Sequence, residues 1–490
     1  MEARTERLFA ADEGFDPAAL AQVARRAGVQ LVATAVERVI AEYADTDDMR
    51  LLRWGATLSH ERGAGWRMRD ALVDTTVPGI GAGVPPAACD LAFGVARGET
   101  VSVRARVRIT RRGVDIVGAH GAALAAVRVD EVEVAGTVLA PASPGTDFTV
   151  IRLLWGPAAS RKLVGRLTRC VEHLGCTAVA PTWTAARSMD AVDTVPEICR
   201  SGAGPRSSIA AVVRSALAGS ALRLVGHDPL TRVGDDPEGV HQMRVATRRL
   251  RSDTNTFRSL LDPAVVDPLR DELAWLAGLL GAVRDADVLG ERLALEVTAL
   301  SGVDREAGER LLARLVEDRA GAREQLLQVM TSGRYTRLLD QVVRIAQAPP
   351  LVGRTKKKAR DVGGALVPDR SLRRAVARLG PEPGNRALHK VRIRAKRCRY
   401  AAEALAPVFG PPAERYAAVM ARCQDVVGAH NDAVIAQAWL RRAAALGTRQ
   451  EAFVAGYLAG RERSLAAAQR ALWPSLRDEM VAKDLRRWLR

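Results

Sequence analysis

Aromatic residues make up only 4% of this 490-residue sequence. That is too few to line a groove with stacking platforms, which counts against sequence-tolerant binding of single-stranded nucleic acid. Cysteine is sparse and scattered. Cys89, Cys170, Cys176, Cys199, Cys398 and Cys423 include no CxxC pair, so neither a zinc framework nor a disulfide scaffold is expected, and they read as reduced packing residues of a cytoplasmic protein. There is no HxxxH pair and no GxxxxGK[ST] loop, which removes the commonest zinc-hydrolase and nucleotide-phosphate signatures. No apolar run approaches the length needed to span a bilayer. The start, Met1-Glu2-Ala3-Arg4-Thr5-Glu6-Arg7, is charged with no apolar stretch behind it, unlike a secretory signal.

What the chain has in excess is positive charge, and it is unevenly placed. The formal net charge is +17. From Ser201 onward there are 49 Lys and Arg against 32 Asp and Glu, so the whole excess lies there and the front part is neutral. A neutral front and a basic back predict two domains, the second with an anionic partner. The stretch Arg200-Ser201-Gly202-Ala203-Gly204-Pro205-Arg206-Ser207-Ser208 reads as the linker, ending at a helix N-cap. The expected domains are 1–200 and 207–490.

The front domain reads as antiparallel α+β. Thr57 to Asp70 forms a hairpin turning at Gly63-Ala64-Gly65. In Thr100 to Thr110, Val101, Val103, Ala105, Val107 and Ile109 alternate with Ser102, Arg104, Arg106 and Arg108, a period of two with arginines along one face. Arg111-Arg112-Gly113 is expected to turn the chain, with Val114 to Val117 returning. Leu124 to Val134 and Phe148 to Leu154 are further strands, and Ala18 to Ala27 and Ala158 to Gly175 have helical spacing. The segments Ala44-Asp45-Thr46-Asp47-Asp48-Met49-Arg50-Leu51, Thr57 to Arg62 and Gly65 to Arg69, followed by the arginine strand and by Leu124 to Val134, resemble the CYTH family over about residues 2–180. The resemblance implies a β-tunnel that holds a triphosphate and a divalent metal, and it raises the alternative of a metal-dependent triphosphatase. Two-metal phosphate chemistry needs converging carboxylates. The family's opening Glu-x-Glu-x-Lys is reduced here to Arg4-Thr5-Glu6-Arg7-Leu8, and Thr149 to Leu153 lacks the later Glu-x-Glu. Glu6, Asp130 and Glu131 are the remnant. The expectation is a degenerate domain, with Mg²⁺ or Mn²⁺ required only if it is active and no cofactor required otherwise.

The back domain reads as all-α. Helices are expected over Ile209 to Val225, from Pro237-Glu238 to about Leu261, Asp267 to Leu280, Asp285 to about Leu300, and Arg305 to Met330, then from Ser371, Asn385, Pro412, Asp432 and Arg449. Val342 to Arg370, with Pro349-Pro350, Lys356-Lys357-Lys358 and Gly363-Gly364, reads as a crossover between repeats. The repeats are explicit. His241-Gln242-Met243-Arg244-Val245-Ala246-Thr247-Arg248-Arg249-Leu250-Arg251 recurs as His389-Lys390-Val391-Arg392-Ile393-Arg394-Ala395-Lys396-Arg397-Cys398-Arg399, and Gly281-Ala282-Val283-Arg284-Asp285 recurs as Gly428-Ala429-His430-Asn431-Asp432. The separation from first His to last Asp is 44 residues in one copy and 43 in the other. Two motifs in the same order at nearly equal spacing argue for duplication, with halves of about 207–345 and 371–490.

At about 100° per helical residue, positions 0, +3, +7 and +10 of each copy fall on one stripe. Each stripe carries one His and three cations, which repel one another until a polyanion arrives. The back domain is similar to the CHAD family, the conserved-histidine α-helical domain, over about residues 207–490. The resemblance implies two pseudo-symmetric helical bundles that bind inorganic polyphosphate in a basic channel, often behind a CYTH domain, in a cytoplasmic protein associated with polyphosphate granules. The expected fold is therefore multidomain: an N-terminal α+β antiparallel β-tunnel-like domain, then an all-α pair of bundles. The expected function is non-catalytic polyphosphate binding. Its candidate residues are His241, Arg244, Arg248, Arg249, Arg251, His389, Arg392, Lys396, Arg397 and Arg399. Asp285 and Asp432 are expected to orient arginines. Three roles stay open for the histidines: phosphate contact, packing, or metal ligation with His430. Nucleic acid is the lesser alternative partner, and no membrane is expected.

Overall fold

The structure is a computed structural model. It describes residues 5–11, 14–79, 83–118, 121–137, 147–199, 202–234, 236–353, 355–380 and 383–489. Arg4 of the front motif and Arg200-Ser201 of the expected linker lie outside the described residues. The chain divides into two compact units, Met1–Glu197 and Ile198–Arg490.

The first unit is a curled antiparallel sheet with short helices. In chain order its elements are β1 (Thr5–Ala11), α1 (Ala21–Ala27), β2 (Gln30–Ala33), β3 (Glu37–Asp45), α2 (Arg50–Arg53), β4 (Thr57–Glu61), β5 (Gly65–Arg69), β6 (Asp74–Val77), α3 (Pro86–Ala96), β7 (Ser102–Val117), β8 (Ala123–Thr137), β9 (Phe148–Trp155), α4 (Arg161–His173), β10 (Thr177–Val179) and α5 (Trp183–Ser188). The strand order is β10-β1-β9-β8-β7-β3-β4-β5-β6, with β2 also paired to β7. The expected hairpin is present, with Glu61 opposite Gly65 and both Gly63 and Gly65 at positive φ. The expected turn at Arg111-Arg112-Gly113 is not. β7 runs straight through it for 16 residues. A Cβ at Gly113 would lie 2.1 Å from the Val127 carbonyl oxygen, so this glycine serves a close approach between strands rather than a reversal.

Period two along β7 places Arg106 and Arg108 on the face that carries Val114 and Ile116, where α1 and α4 close one core around Phe9, Val127, Ile151, Leu153 and Leu167, whereas Arg104 sits at an irregularity in the pairing with β3 and is buried. Val107, Ile109 and Arg111 lie on the opposite face, with Ala41, Val132 and Val134.

The second unit is helical. It comprises α6 (Ile209–Gly226), α7 (Asp228–Val233), α8 (Glu238–Thr256), α9 (Pro263–Thr298), α10 (Gly302–Met330), α11 (Gly333–Gln347), α12 (Ala359–Leu366), α13 (Asp369–Ala377), α14 (Asn385–Phe409), α15 (Pro411–Leu446), α16 (Arg449–Ala471) and α17 (Trp473–Val481). Side-chain caps mark several starts: Ser208 for α6, Asp262 ahead of Pro263 for α9, Ser332 for α11, and a Thr448/Glu451 capping box for α16. The sequence reading broke two helices at their Gly-Ala motifs. The structure does not, and α9 and α15 are each unbroken helices of 36 residues. The expected crossover is shorter than Val342 to Arg370, because α11 continues to Gln347 and α12 occupies Ala359–Leu366.

The repeat is visible as paired contacts. α8 meets its counterpart α14, and α10 meets α16, as a pseudo-twofold relation requires. The segment Ile209–Val233 is long and apolar enough to cross a membrane by composition alone, with mean hydropathy 1.5. Here it is a core element: Ile209, Val213, Leu217, Leu224 and Val225 are fully buried.

Candidate functional site

The α8–α14 contact sets the two cationic stripes against each other. Arg244 and Arg248 from α8 and Arg392 from α14 line one cavity of about 210 Å³. Its lining also includes the apolar Val245, Val288, Leu289 and Ile435, together with His241, Arg284 and Arg292. The glycine motifs sit against two of these arginines. Gly281 lies under Arg244, whose Nη1 donates to the Gly281 carbonyl at 3.4 Å, and Gly428 lies under Arg392. One turn further on, the motif acids enter the same cavity: Asp285 accepts from Arg244 at 2.6 Å, and Asp432 comes in from α15.

The electrostatics of the seam are lopsided. Among the described residues, Arg248, Arg251, Arg392 and Lys396 form no ion pair within 4 Å. Arg392 Nε is buried without a hydrogen-bond partner. Burial, then Arg248, Arg392, Arg244 and Arg251 in that order, push the Lys396 ammonium down to about 6. The lysine is thus more often neutral than charged at pH 7. Burial also holds Arg248 below its ordinary value, with Arg244 and Arg392 adding repulsion. His241 is held low by burial and by Arg284, Arg244 and Arg248, against the pull of Glu238. Burial raises Asp432 while Arg392 and Arg292 oppose it. A site this short of negative charge costs stability.

Not every candidate joins the seam. Arg249 pairs with buried Asp253 at 3.2 Å and with Glu403, and its guanidinium lies 4.9 Å from the Tyr400 ring. Arg399 pairs with the same Glu403 at 2.7 Å. Both are tied into the α8–α14 packing. His389 and Arg397 are exposed and do not line the cavity. His430 faces away from it: its ring is buried against the Ala466 carbonyl and Asn385. Arg284 and Arg292 were missed by the sequence reading, although Arg284 stands inside the first Gly-Ala motif.

In the sheet unit the charges pair off. On the face opposite α1 and α4, Arg111 binds Asp130 at 2.8 Å and Glu61 at 3.0 Å. Arg152 binds Glu6 at 2.7 Å, and Arg69 also binds Glu6. Burial raises Glu6 and Glu61, but their arginine partners outweigh it and hold both carboxyls below the usual range. The arginine strand is paired too: Arg104 with Asp47, Arg106 with Glu42 and Arg108 with Glu133. Glu131 departs from Glu6 and Asp130 and pairs with Arg112. Among the described residues no three His, Cys, Asp or Glu side chains converge to hold a metal ion.

Comparison with known proteins places the helical unit. The family model of the CHAD domain matches residues 215–441. This region is a CHAD domain. Two uncharacterised proteins of Mycobacterium tuberculosis, from strains CDC 1551 / Oshkosh and H37Rv, are each 28% identical over 474 residues, covering 89% of this chain and 89% of their own. Among solved structures, the CHAD domain from the plant Ricinus communis gives a TM-score of 0.48 at 26% identity, covering 58% of this chain and 96% of that one. PptA from Streptomyces chartreusis gives 0.47 at 26%, covering 55% and 99%.

The seam of this CHAD domain makes a stability prediction. Lys396→Met replaces a largely buried amine, held below its ordinary value by burial and its arginine neighbours, with an apolar side chain of similar length. It is expected to stabilise the CHAD domain by about 1 kcal/mol, a rise in Tm of about 2–4 °C, read by the loss of helical circular dichroism on heating. A lower Tm would mean that the contact of the Lys396 amine with the Tyr400 ring, 5.6 Å to its centroid, outweighs the cost of burying the amine.

Proposed function

We propose that the CHAD domain binds inorganic polyphosphate, without catalysis, in the groove between its two repeats. The observation that carries this reading is the meeting of Arg248, Arg251, Arg392 and Lys396 from two helices with no acid paired to any of them. Most other arginines near the seam have a carboxylate. Guanidinium groups donate several hydrogen bonds to phosphate oxygens and keep their charge at any physiological pH. Cations spaced a helical turn apart match successive charged units of a linear polyanion. Nucleic acid offers the same charge, but among the described residues the apolar lining of the cavity is aliphatic and includes no aromatic side chain on which a base could stack. The same reading puts the protein in the cytoplasm, at polyphosphate granules. The sheet unit, with its arginines already paired, is assigned no phosphate chemistry.

The test is titration of the full chain with long-chain polyphosphate at 50 mM and 500 mM salt, beside Arg248→Ala/Lys396→Ala. Binding should fall steeply with salt, by the logic of counterion release, and should drop strongly in the double variant. No binding at 50 mM salt, or full binding by the variant, refutes the reading. Single-stranded RNA added as competitor should fail to displace polyphosphate at equal charge concentration.

A pH dependence follows. Lys396 sits at about 6 in the free protein. A bound polyanion raises that value, so binding takes up a proton whenever the pH lies above 6 and below the new value. Affinity therefore rises as pH falls, by at most about tenfold per pH unit for one proton, and levels off below pH 6. Between pH 8.5 and 6.5 a tightening of about tenfold is expected, together with proton uptake in calorimetry across buffers of different ionisation heat. Lys396→Met should flatten the profile. An unchanged slope in that variant would assign the proton elsewhere.

A further inference from the structure

Beyond the groove, the CHAD domain holds a larger cavity of about 570 Å³ bounded by α14, α15, α16 and the start of α17. It is lined by Asn385, His430, Gln437, Arg463 and Arg470, with small apolar side chains such as Ala467 and Ala471 between them. No carboxylate lines it. His430 and Asp432 are two residues apart on α15, about 200° around the helix, so this cavity and the groove lie on opposite sides of that helix. It contains none of the groove's residues.

Its polar groups are arranged as donors. The Asn385 oxygen accepts from Arg470 Nη2 at 2.5 Å, and the Asn385 side chain lies 3.0 Å from His430 Nε2. His430 Nδ1 lies 2.9 Å from the Ala466 carbonyl oxygen, so the ring is held from both sides. Arg470 Nε is buried with no hydrogen-bond partner. Among the described residues neither Arg463 nor Arg470 forms an ion pair. Gln437 donates to the Ala433 carbonyl at 3.2 Å, and its side-chain oxygen remains as an acceptor.

The duplication sharpens the point. The positions of Asn385 and His430 correspond, by motif register, to Pro237 and Val283 in the first repeat. Val283 is fully buried. An apolar seam in one repeat has become a polar one in the other, and the change brings two unpaired arginines to an open cavity. Inheritance from the common ancestor of the repeats does not supply this, and packing alone does not call for it.

We propose that this cavity is a second, independent anion site that takes a compact phosphate group: orthophosphate, pyrophosphate or the phosphate of a small ester. Arg463 and Arg470 supply charge and paired N–H donors. The Gln437 oxygen receives the proton of a monoprotonated phosphate. The site belongs to the second repeat alone, so one anion binds per chain.

The test uses the full chain with Arg248→Glu/Arg392→Glu, which disables the groove, and pyrophosphate as the probe. Calorimetry at 50 mM salt should give one site per chain. Arg463→Ala/Arg470→Ala in that background should weaken binding at least tenfold. Ala467→Phe, an exposed position on the cavity wall, should block the site without altering charge. The groove double variant alone should leave pyrophosphate affinity within about twofold of wild type. Absence of binding in the groove-disabled chain overturns the proposal. So does binding that survives both Arg463→Ala/Arg470→Ala and Ala467→Phe.

Discussion

Arg248→Glu combined with Arg392→Glu is expected to weaken polyphosphate binding about a thousandfold. The two guanidiniums come from different repeats and meet in one cavity, and among the described residues neither forms an ion pair with the Asp285 and Asp432 carboxylates that also line it. A hydrogen bond to a charged group contributes about 1.5–3 kcal/mol, so two lost contacts amount to about 3–6 kcal/mol, and each 1.4 kcal/mol is about tenfold in affinity. Reversal adds repulsion to the loss. The variant should still fold, because each new carboxylate arrives beside Lys396 and relieves the crowding that depresses it. A matched control separates the two units of the chain. Arg106→Glu/Arg108→Glu changes the same number of charges on the exposed arginine strand of the sheet unit, where Glu42 and Glu133 already neutralise them. That control should move affinity less than threefold. Equal losses in both pairs would mean that net charge, rather than the groove, governs binding. Arg397→Ala, outside the cavity, belongs with the control.

The sequence was most legible where a pattern repeats. The His/Arg stripe and the Gly-Ala-x-x-Asp motif each occur twice, and together they predicted which helices would face each other and which acids would stand beside the arginines. Local signals were weaker guides. Gly281 and Gly428 looked like helix breaks, yet each sits inside an unbroken 36-residue helix, at ordinary contact distance from an arginine of the preceding helix. Gly113 looked like a turn, yet it sits mid-strand against a neighbouring carbonyl. Gly113 answers a tertiary approach that no window of sequence contains. The same limit explains the stripe's ragged edge. Periodicity places Arg249 and Arg399 near the cations, but only the fold brings Glu403 between them. It also explains the arginine strand, whose period of two slips at Arg104 and whose acidic partners lie on β3 and β8 or in the loop that follows β3. Helix α7 went unread because six residues are too few for a periodic signal.

That short helix carries the second large effect. Asp228, its first residue, is fully buried. It accepts from Arg232 Nε at 2.6 Å and from the Tyr335 hydroxyl at 2.5 Å, and Arg232 reaches on to the Met330 carbonyl at 2.9 Å. The triad fastens α7, and with it the start of α8, to the end of α10 and to α11. Burial and the adjacent Asp228 carboxylate push the Tyr335 phenol well above its ordinary value, so the hydroxyl is a donor at every accessible pH. Asp228→Ala removes the buried carboxylate that Arg232 and Tyr335 share and leaves the buried hydroxyl without its acceptor. Breaking a buried pair in this way costs about 3–5 kcal/mol, and the helical transition should fall by roughly 10 °C. The second repeat holds the same chemistry at a wetter place. Asp369 accepts from Tyr416 at 3.0 Å and from Arg373 at 2.8 Å, but the Arg373 side chain is 47% exposed against 5% for Arg232. Water can take over much of what Asp369 provides, so Asp369→Ala should cost about 1–2 kcal/mol. Burial, not bond count, then sets the ranking. Equal losses at the two aspartates would refute that account.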